Sequence, residues 1–282
     1  MIVVTGATGH LGRLVIAGLL KKVPPSSIVA AVRNAEKAKD LAALGVQVRY
    51  ADYNQPPTWD AALKGADKVL LISSSEVGQR AKQHRSVIEG AKRSGVKQLA
   101  YTSVLRADTS SLGLAAEHKE TEAMISASGI PCTLLRNGWY TENYTAGISG
   151  ALARGAVYGC AGEGRIASAA RADYADAAVA VLTAENQAGR VYELAGDTAY
   201  TLAELAAEIS RQSGKNIKYV NLPEAEYRNV LVKAGLPEAV AALISDSDTG
   251  VSKGALFDDG HQLSKLIGRP TTSLATSVAQ VL

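Results

Sequence analysis

The chain has 282 residues, and 47% of them are apolar, which is enough for one large α/β domain or for a core with a smaller appended lobe. Its formal net charge is only +3 with both signs mixed along the chain, which argues against nucleic acid or a membrane surface as the main partner. Cys132 and Cys160 form neither a CxxC pair nor a spaced framework, so we expect no disulfide scaffold and no metal site. The sequence shows no secretion signal and no apolar run of the roughly 18 residues that cross a bilayer. These features predict a cytoplasmic globular protein.

Short β-branched segments alternate with helical patterns in the first half of the chain. The predicted strands are 2–4, 28–32, 46–50, 68–72, 97–102 and 132–136. The predicted helices are 11–20, 36–44, 58–64, 79–94 and 115–128. Because parallel strands need crossover helices and are buried on both faces, this alternation predicts a doubly wound Rossmann sheet.

The alternation loosens after about residue 140. Helices are predicted over 172–183 and 201–213 with a strand over 190–194 between them, and 223–250 is mostly helical. We therefore predict an α/β fold with a Rossmann core over 1–140. A smaller C-terminal α/β lobe over 141–282 is expected to interleave with the last strands of the sheet and to close over the cleft.

The segment VVTGATGHLG places three glycines between the first strand and the first helix. Gly6 permits a tight turn, Gly9 lets the backbone approach a pyrophosphate, and Gly12 lets the helix pack closely on the strand. The helix dipole and the open N–H groups at the helix start attract phosphates. The motif and its strand–helix context together predict a dinucleotide site.

The end of the second strand indicates which dinucleotide is bound. An acidic residue usually stands there in NAD-binding folds, where it accepts a hydrogen bond from the ribose 2′-hydroxyl. Here the strand ends in Arg33, whose guanidinium can pair with a 2′-phosphate. NADP(H) is therefore the favoured cofactor, with a solvated surface arginine as the alternative.

Three further strand ends carry polar or aromatic residues: Ser73–Ser75, Tyr101–Ser103 and Asn137–Tyr140. Ligands of such sheets bind beyond the carboxyl ends of the strands, so these residues are expected to line the cofactor. An aromatic cluster after the sixth strand contains Trp139, Tyr140 and Tyr144, with two interleaved asparagines. The cluster suits a flat carbonyl-bearing ligand, and the alternative is that it forms a lid packed on the core.

Five segments of the chain are TGATGHLG, VRN, LLISSSEVGQR, YTSV and LLRNGWYTENY. Together they resemble the NmrA-like branch of the atypical short-chain dehydrogenases/reductases, in particular its bacterial NAD(P)H:quinone oxidoreductases. The resemblance covers essentially the whole chain and implies NADPH-dependent, two-electron reduction of quinones. It implies that the cofactor is bound by Gly6, Ala7, Thr8, Gly9, His10, Leu11, Arg33, Ser73, Ser74, Ser75 and Arg171. It also implies that the nicotinamide and substrate are bordered by Asn137, Gly138, Trp139, Tyr140, Thr141 and Glu142.

The larger superfamily uses a YxxxK pair, in which the tyrosine is the acid and the lysine lowers its pKa. The pair is missing here, because none of the eleven tyrosines has a lysine four residues later. This argues against alcohol dehydrogenase or epimerase chemistry. It suits a quinone, because the hydroquinone anion formed by hydride transfer is delocalised and needs little acid help.

His118 and Glu122 lie four apart on one helical face and are the candidates for a proton relay, with a solvated or structural pair as the alternative. His84, between Lys82 and Arg85, is expected on a solvated face. A non-enzymatic NADP(H)-binding redox sensor of the NmrA type remains the alternative function. A homo-oligomer is possible, and the physiological quinone stays open.

Overall fold

A computed structural model describes all 282 residues. Its strands are β1 (Ile2–Val4), β2 (Ile28–Val32), β3 (Gln47–Tyr50), β4 (Lys68–Leu71), β5 (Gln98–Val104), β6 (Cys132–Asn137), β7 (Ala156–Gly159), β8 (Arg190–Leu194) and β9 (Lys218–Asn221). Its helices are α1 (His10–Leu19), α2 (Lys39–Ala43), α3 (Thr58–Ala62), α4 (Arg80–Arg93), α5 (Ala115–Ser128), α6 (Glu142–Thr145), α7 (Ile148–Arg154), α8 (Arg171–Thr183), α9 (Leu202–Ser213), α10 (Glu224–Lys233), α11 (Glu238–Ser252), α12 (Gln262–Ile267) and α13 (Leu274–Ala279). No helix is both long enough and apolar enough to span a bilayer.

The main sheet has seven strands in the order β3-β2-β1-β4-β5-β6-β8, and β1 to β6 pair in parallel. All residues of β2 and β5 are buried, as expected for inner strands covered by helices on both faces. Val4 of β1 pairs with Ala30 of β2 on one side and with Leu70 of β4 on the other. The order of the strands reverses at this point, which is where open α/β sheets bind ligands. The predicted doubly wound Rossmann sheet is confirmed.

The chain forms two compact units and passes between them several times. The first unit contains residues 1–107, 116–137 and 171–192. The second contains residues 108–115, 138–170 and 193–282. Residues 171–192 thus belong to the first unit and residues 108–115 to the second, whereas the sequence predicted one division near residue 140.

Within the first unit, α8 packs against α1. A Cβ added to Gly18 of α1 would lie only 2.8 Å from Cγ2 of Val179, so a glycine is what lets the two helices approach. Beneath α3 and α4, the core contains fully buried Trp59 and Tyr101. The second unit has its own two-stranded parallel sheet of β7 and β9.

The predicted helix over 36–44 is wrong in part. Residues Ala35–Ala38 form a 3₁₀ turn, and only α2 that follows is α-helical. The side chain of Asn34 accepts a hydrogen bond from the Glu36 N–H, and this cap holds the turn in its tighter form.

Candidate functional site

The glycine loop joins β1 to α1 at the carboxyl edge of the sheet. Gly6 has a φ of +58°, a left-handed conformation that suits glycine, and its carbonyl accepts from the Gly9 N–H at 2.9 Å. Gly9 is the N-cap of α1 and supplies no side chain to its first turn, which also contains no acidic residue. The first N–H groups of a helix have no partner within the helix, so this end of α1 is open to an anion.

Gly12 allows the first turn of α1 to lie directly on the loop. A Cβ at Gly12 would stand 2.5 Å from the Gly6 carbonyl oxygen and 2.8 Å from Cα of Ala7. Both neighbours are backbone atoms in the turn itself, so they can give way only by moving the backbone of the turn that leads into α1.

We expect Gly12→Ala to lower the free energy of unfolding by roughly 1–3 kcal/mol, the usual cost of overpacking, and to weaken NADPH binding. Chemical denaturation and a cofactor titration measure the two effects. Gly147→Ala is the matched control, because Gly147 has ordinary helical angles and the added Cβ would meet its nearest neighbour at 3.4 Å. Equal stability and NADPH affinity in the two variants would contradict this view of Gly12.

Arg33 follows β2 at the same edge of the sheet. Its side chain is 68% exposed, and a carboxylate oxygen of Glu76 lies 3.7 Å from its Nη1. Arg13 of α1, in contrast, is held by the carboxylate of Asp40 and the carbonyl oxygen of Lys37. Of these two arginines, Arg33 therefore has the guanidinium that can turn toward a phosphate.

The three serines after β4 differ in their surroundings. The Ser73 N–H donates to Oγ1 of Thr102 at 2.9 Å. Ser74 is buried, and its Oγ accepts from the Glu76 N–H at 3.1 Å. Ser75 is exposed. Ser74 thus shapes the loop from inside, while Ser75 presents its hydroxyl outward.

The prediction that His84 is solvated is wrong, because its side chain is fully buried. Its Nε2 lies 2.9 Å from the Ser74 N–H, a group that can only donate, so Nε2 is the acceptor and the proton is on Nδ1. Nδ1 lies 2.9 Å from Oγ1 of Thr121. Burial, and secondarily the charge of Arg80, lowers the pKa of His84 to about 3. The neutral His84 therefore connects the loop of Ser73–Ser75 to α5. Because its neighbours in the sequence are charged, the sequence pattern did not indicate this buried position.

The proton-relay candidate His118 is also buried. Its Nδ1 lies 2.7 Å from the hydroxyl of Tyr101, and its Nε2 lies 3.4 Å from Nη1 of Arg80. Burial is the main reason that the pKa of His118 falls to about 3. The ring is therefore neutral at pH 7 and has a hydrogen-bond partner at each nitrogen.

The other relay candidate, Glu122, forms a buried ion pair with Arg136 of β6. Nε and Nη2 of the guanidinium donate to the two carboxylate oxygens at 3.0 and 2.7 Å, and Ser103 adds a hydroxyl donor. This bidentate arrangement favours the structural alternative for Glu122.

Asn137, the last residue of β6, is 6% exposed, and its Oδ1 is buried without a hydrogen-bond partner. A buried amide oxygen without a donor is costly, so this atom is ready to accept from an N–H group of a ligand.

The second unit contains the rest of the predicted substrate segment. The Gly138 N–H donates to the Leu194 carbonyl at 2.7 Å, and Thr141 is buried with its Oγ1 2.8 Å from Oγ of Ser168. Trp139 and Tyr140 are half-buried, and Glu142 starts α6. These contacts fix the position of the backbone over residues 138–142.

Arg171 is the half-buried first residue of α8 in the first unit. Asp173 lies within the first turn of this helix and is completely buried.

The first unit thus brings several predicted residues to the carboxyl edge of its sheet: the glycine loop after β1, Arg33 after β2, Ser73–Ser75 after β4 and Asn137 at the end of β6. These residues fit the chemical groups of NADP(H). The open start of α1 suits a diphosphate, the exposed guanidinium of Arg33 suits a 2′-phosphate, and the unpartnered amide oxygen of Asn137 suits a carboxamide.

The chain is similar over its whole length to several known proteins. The model of the NmrA-like family matches residues 1–276. Quinone oxidoreductase 2 of Escherichia coli is 59% identical over 281 residues, which cover 100% of this chain and 98% of that protein. A crystal structure of the NADPH-dependent quinone oxidoreductase of E. coli with NADPH superposes with a TM-score of 0.98 and covers 100% of this chain and 99% of that one. Triphenylmethane reductase of Citrobacter sp. in complex with NADP(H) has 41% identity, a TM-score of 0.97 and full coverage of both chains. The chain belongs to the NmrA-like family.

Proposed function

We propose that this protein reduces quinones with NADPH by direct two-electron hydride transfer. The observation that carries the proposal is the 59% identity, over the full chain, to a quinone oxidoreductase. The reaction consumes one quinone, one NADPH and one proton, and it yields hydroquinone and NADP⁺. When bound, NADPH supplies the hydride.

The residues of the first unit hold the cofactor in this proposal. The N–H groups at the start of α1 bind the diphosphate, and Gly9 lets the phosphates come close to the backbone. Arg33 exchanges its loose contact with Glu76 for the 2′-phosphate, where a guanidinium forms paired, charge-assisted hydrogen bonds. Asn137 accepts from the carboxamide of the nicotinamide through its orphaned Oδ1 and so orients the ring.

The segment from Gly138 to Glu142 borders the quinone, and the aromatic side chains of Trp139 and Tyr140 offer flat surfaces for its ring. The protein contributes orientation rather than an acid in this mechanism. His118 is neutral and has partners at both nitrogens, and Glu122 is paired with Arg136, so the proton that completes the hydroquinone comes from water.

Rapid mixing of the protein with NADPH and 1,4-benzoquinone tests the proposal, with oxidation of NADPH as the signal. We expect turnover far above the rate without protein. Tight binding of NADPH with no turnover for benzoquinone or naphthoquinones would overturn the enzyme proposal and favour the redox-sensor alternative.

A further inference from the structure

Glu76 places a carboxylate beside the arginine that we assign to the 2′-phosphate. Its Oε1 lies 3.7 Å from Nη1 of Arg33, and the two side chains are 47% and 68% exposed. An exposed ion pair of this kind contributes little to the stability of a fold. The position of this carboxylate next to a phosphate-binding group therefore calls for an explanation other than stability.

Hydrogen bonds hold Glu76 in this position from two sides. Its other carboxylate oxygen, Oε2, accepts from Nε2 of Gln83 at 2.8 Å, and Gln83 is only 1% exposed. The same Nε2 lies 3.3 Å from Oδ1 of Asn54, so both of its protons have acceptors. The N–H group of Glu76 donates to Oγ of the buried Ser74 at 3.1 Å. Glu76 is thus fixed by buried groups, whereas the exposed guanidinium of Arg33 is free to turn.

One guanidinium cannot neutralise both the carboxylate of Glu76 and a 2′-phosphate. A phosphate monoester carries a charge of about −1.5 to −2 at pH 7, and the fixed carboxylate repels it when it pairs with Arg33. Two unit charges about 4 Å apart in water change an equilibrium by roughly fivefold, and by more beside a protein surface. NADH has a neutral hydroxyl at this position, from which a carboxylate can accept a hydrogen bond. The carboxylate therefore opposes NADPH and not NADH.

We propose that Glu76 is a specificity-determining residue that lowers the affinity for NADPH relative to NADH, because it competes with the 2′-phosphate for Arg33. NADP⁺ carries the same phosphate, so the competition also speeds release of the oxidised cofactor, since changes in affinity at one site act mainly on the dissociation rate. Gln83 is a positioning residue, because it acts through the carboxylate that it holds. This role of Glu76 rests on the proposed contact between Arg33 and the phosphate and is independent of the electron acceptor.

Glu76→Gln removes the charge and keeps the hydrogen bonds, because a glutamine oxygen can still accept from Gln83 and the backbone N–H is unchanged. Titration of the full-length protein without quinone, followed by the fluorescence of NADPH or NADH, gives the two dissociation constants. We expect the variant to bind NADPH about tenfold more tightly than wild type and NADH within about twofold of wild type. Displacement of bound NADP⁺ by excess NADPH, followed by stopped flow, should be slower by a similar factor.

Salt separates competition between charges from a change in local structure. Between about 0.01 M and about 1 M ionic strength the Debye length shortens from about 30 to about 3 Å. The ratio of the NADPH affinities of Glu76→Gln and wild type should therefore fall toward one over this range. A purely structural effect of the substitution would persist at high salt and would apply equally to NADH.

Glu89→Gln is the matched control for the change of net charge. Glu89 is exposed on the same helix as Gln83, about 9 Å farther along its axis, and the substitution should leave both affinities unchanged. Arg33→Ala, alone and combined with Glu76→Gln, tests whether the two residues act on the same phosphate. The gain from Glu76→Gln should disappear when Arg33 is replaced.

The proposal would be overturned by equal NADPH affinity of Glu76→Gln and wild type, by an equal gain for NADH, or by a gain that persists without Arg33. Unchanged NADPH affinity in Arg33→Ala would overturn it together with the assignment of Arg33 to the phosphate. A failure to reduce quinones would affect neither, because all of these affinities are measured without an electron acceptor.

Discussion

Replacement of Arg33 by aspartate is expected to raise the KM for NADPH about a hundredfold and to change the KM for NADH by no more than a few-fold. Loss of a hydrogen bond to a charged group costs about 1.5–3 kcal/mol, and reversal of the charge adds repulsion of the 2′-phosphate. NADH lacks that phosphate, and a carboxylate after the second strand can accept from its ribose 2′-hydroxyl. Steady-state kinetics with each cofactor and one quinone measure the change in preference.

Arg93→Asp makes the same change of charge at the C-terminal end of α4, where Arg93 pairs with Asp60 on the surface. Helices that connect parallel strands run back toward the amino edge, so this site is far from the cofactor edge. The control should keep the NADPH preference. If Arg33→Asp also kept it, Arg33 would be a surface charge, and the phosphate would have to bind elsewhere.

Acid is expected to unfold the first unit through its two buried histidines. In the unfolded chain His84 and His118 have the ordinary pKa of 6.5, whereas burial lowers both values to about 3 in the folded protein. As the pH falls below 6.5, the unfolded chain binds protons that the folded protein excludes. The free energy of unfolding then decreases by about 1.4 kcal/mol per pH unit for each histidine, until the pH approaches 3.

At pH 4.5 the two losses together amount to about 5 kcal/mol, which is comparable to the total stability of many domains. Asp248 has the opposite sign, because burial raises its pKa to about 6 and lets the folded protein take up a proton early as the pH falls. The contribution of the histidines is therefore measured by comparing the pH dependence of unfolding of the wild type with that of a histidine variant, rather than from the wild-type curve alone.

His84→Gln is the informative variant, because a glutamine amide can accept from the Ser74 N–H and donate to Thr121 without titrating. Its free energy of unfolding should depend on pH less steeply than that of the wild type, by about 1.4 kcal/mol per unit between pH 6 and pH 4. His10→Gln makes the same substitution at an exposed histidine and is the matched control for the change of side chain. Parallel curves for His84→Gln and wild type would show that His84 takes up its proton in the folded state.

The sequence predicted the sheet well because the inner strands contain short apolar runs, such as Ile2–Val4 of β1 and Ile28–Val32 of β2, and helical patterns separate them. The glycine loop and Arg33 could also be located, since their chemistry follows directly from strand ends. Both kinds of signal are local in the chain.

Burial that depends on distant residues could not be predicted. His84 looks solvated among its charged neighbours, and only the fold brings Ser74 and Thr121 to its two nitrogens. In the same way, Asp248 lies in a polar stretch of α11, and only the fold brings it to a cavity whose lining residues come from segments 143–158, 202–209 and 227–248. Such sites depend on contacts across long stretches of sequence, which no local pattern records.

The return of residues 171–192 to the first unit has a consequence for synthesis on the ribosome. Domains fold from the N-terminus during synthesis, so α1 forms early. Its packing partner α8 is translated about 150 residues later. The face of α1 around Gly18 must therefore stay uncovered while most of the chain is made. The nascent protein carries an exposed apolar helix face for much of its translation, and a chaperone that holds such faces would act during this interval.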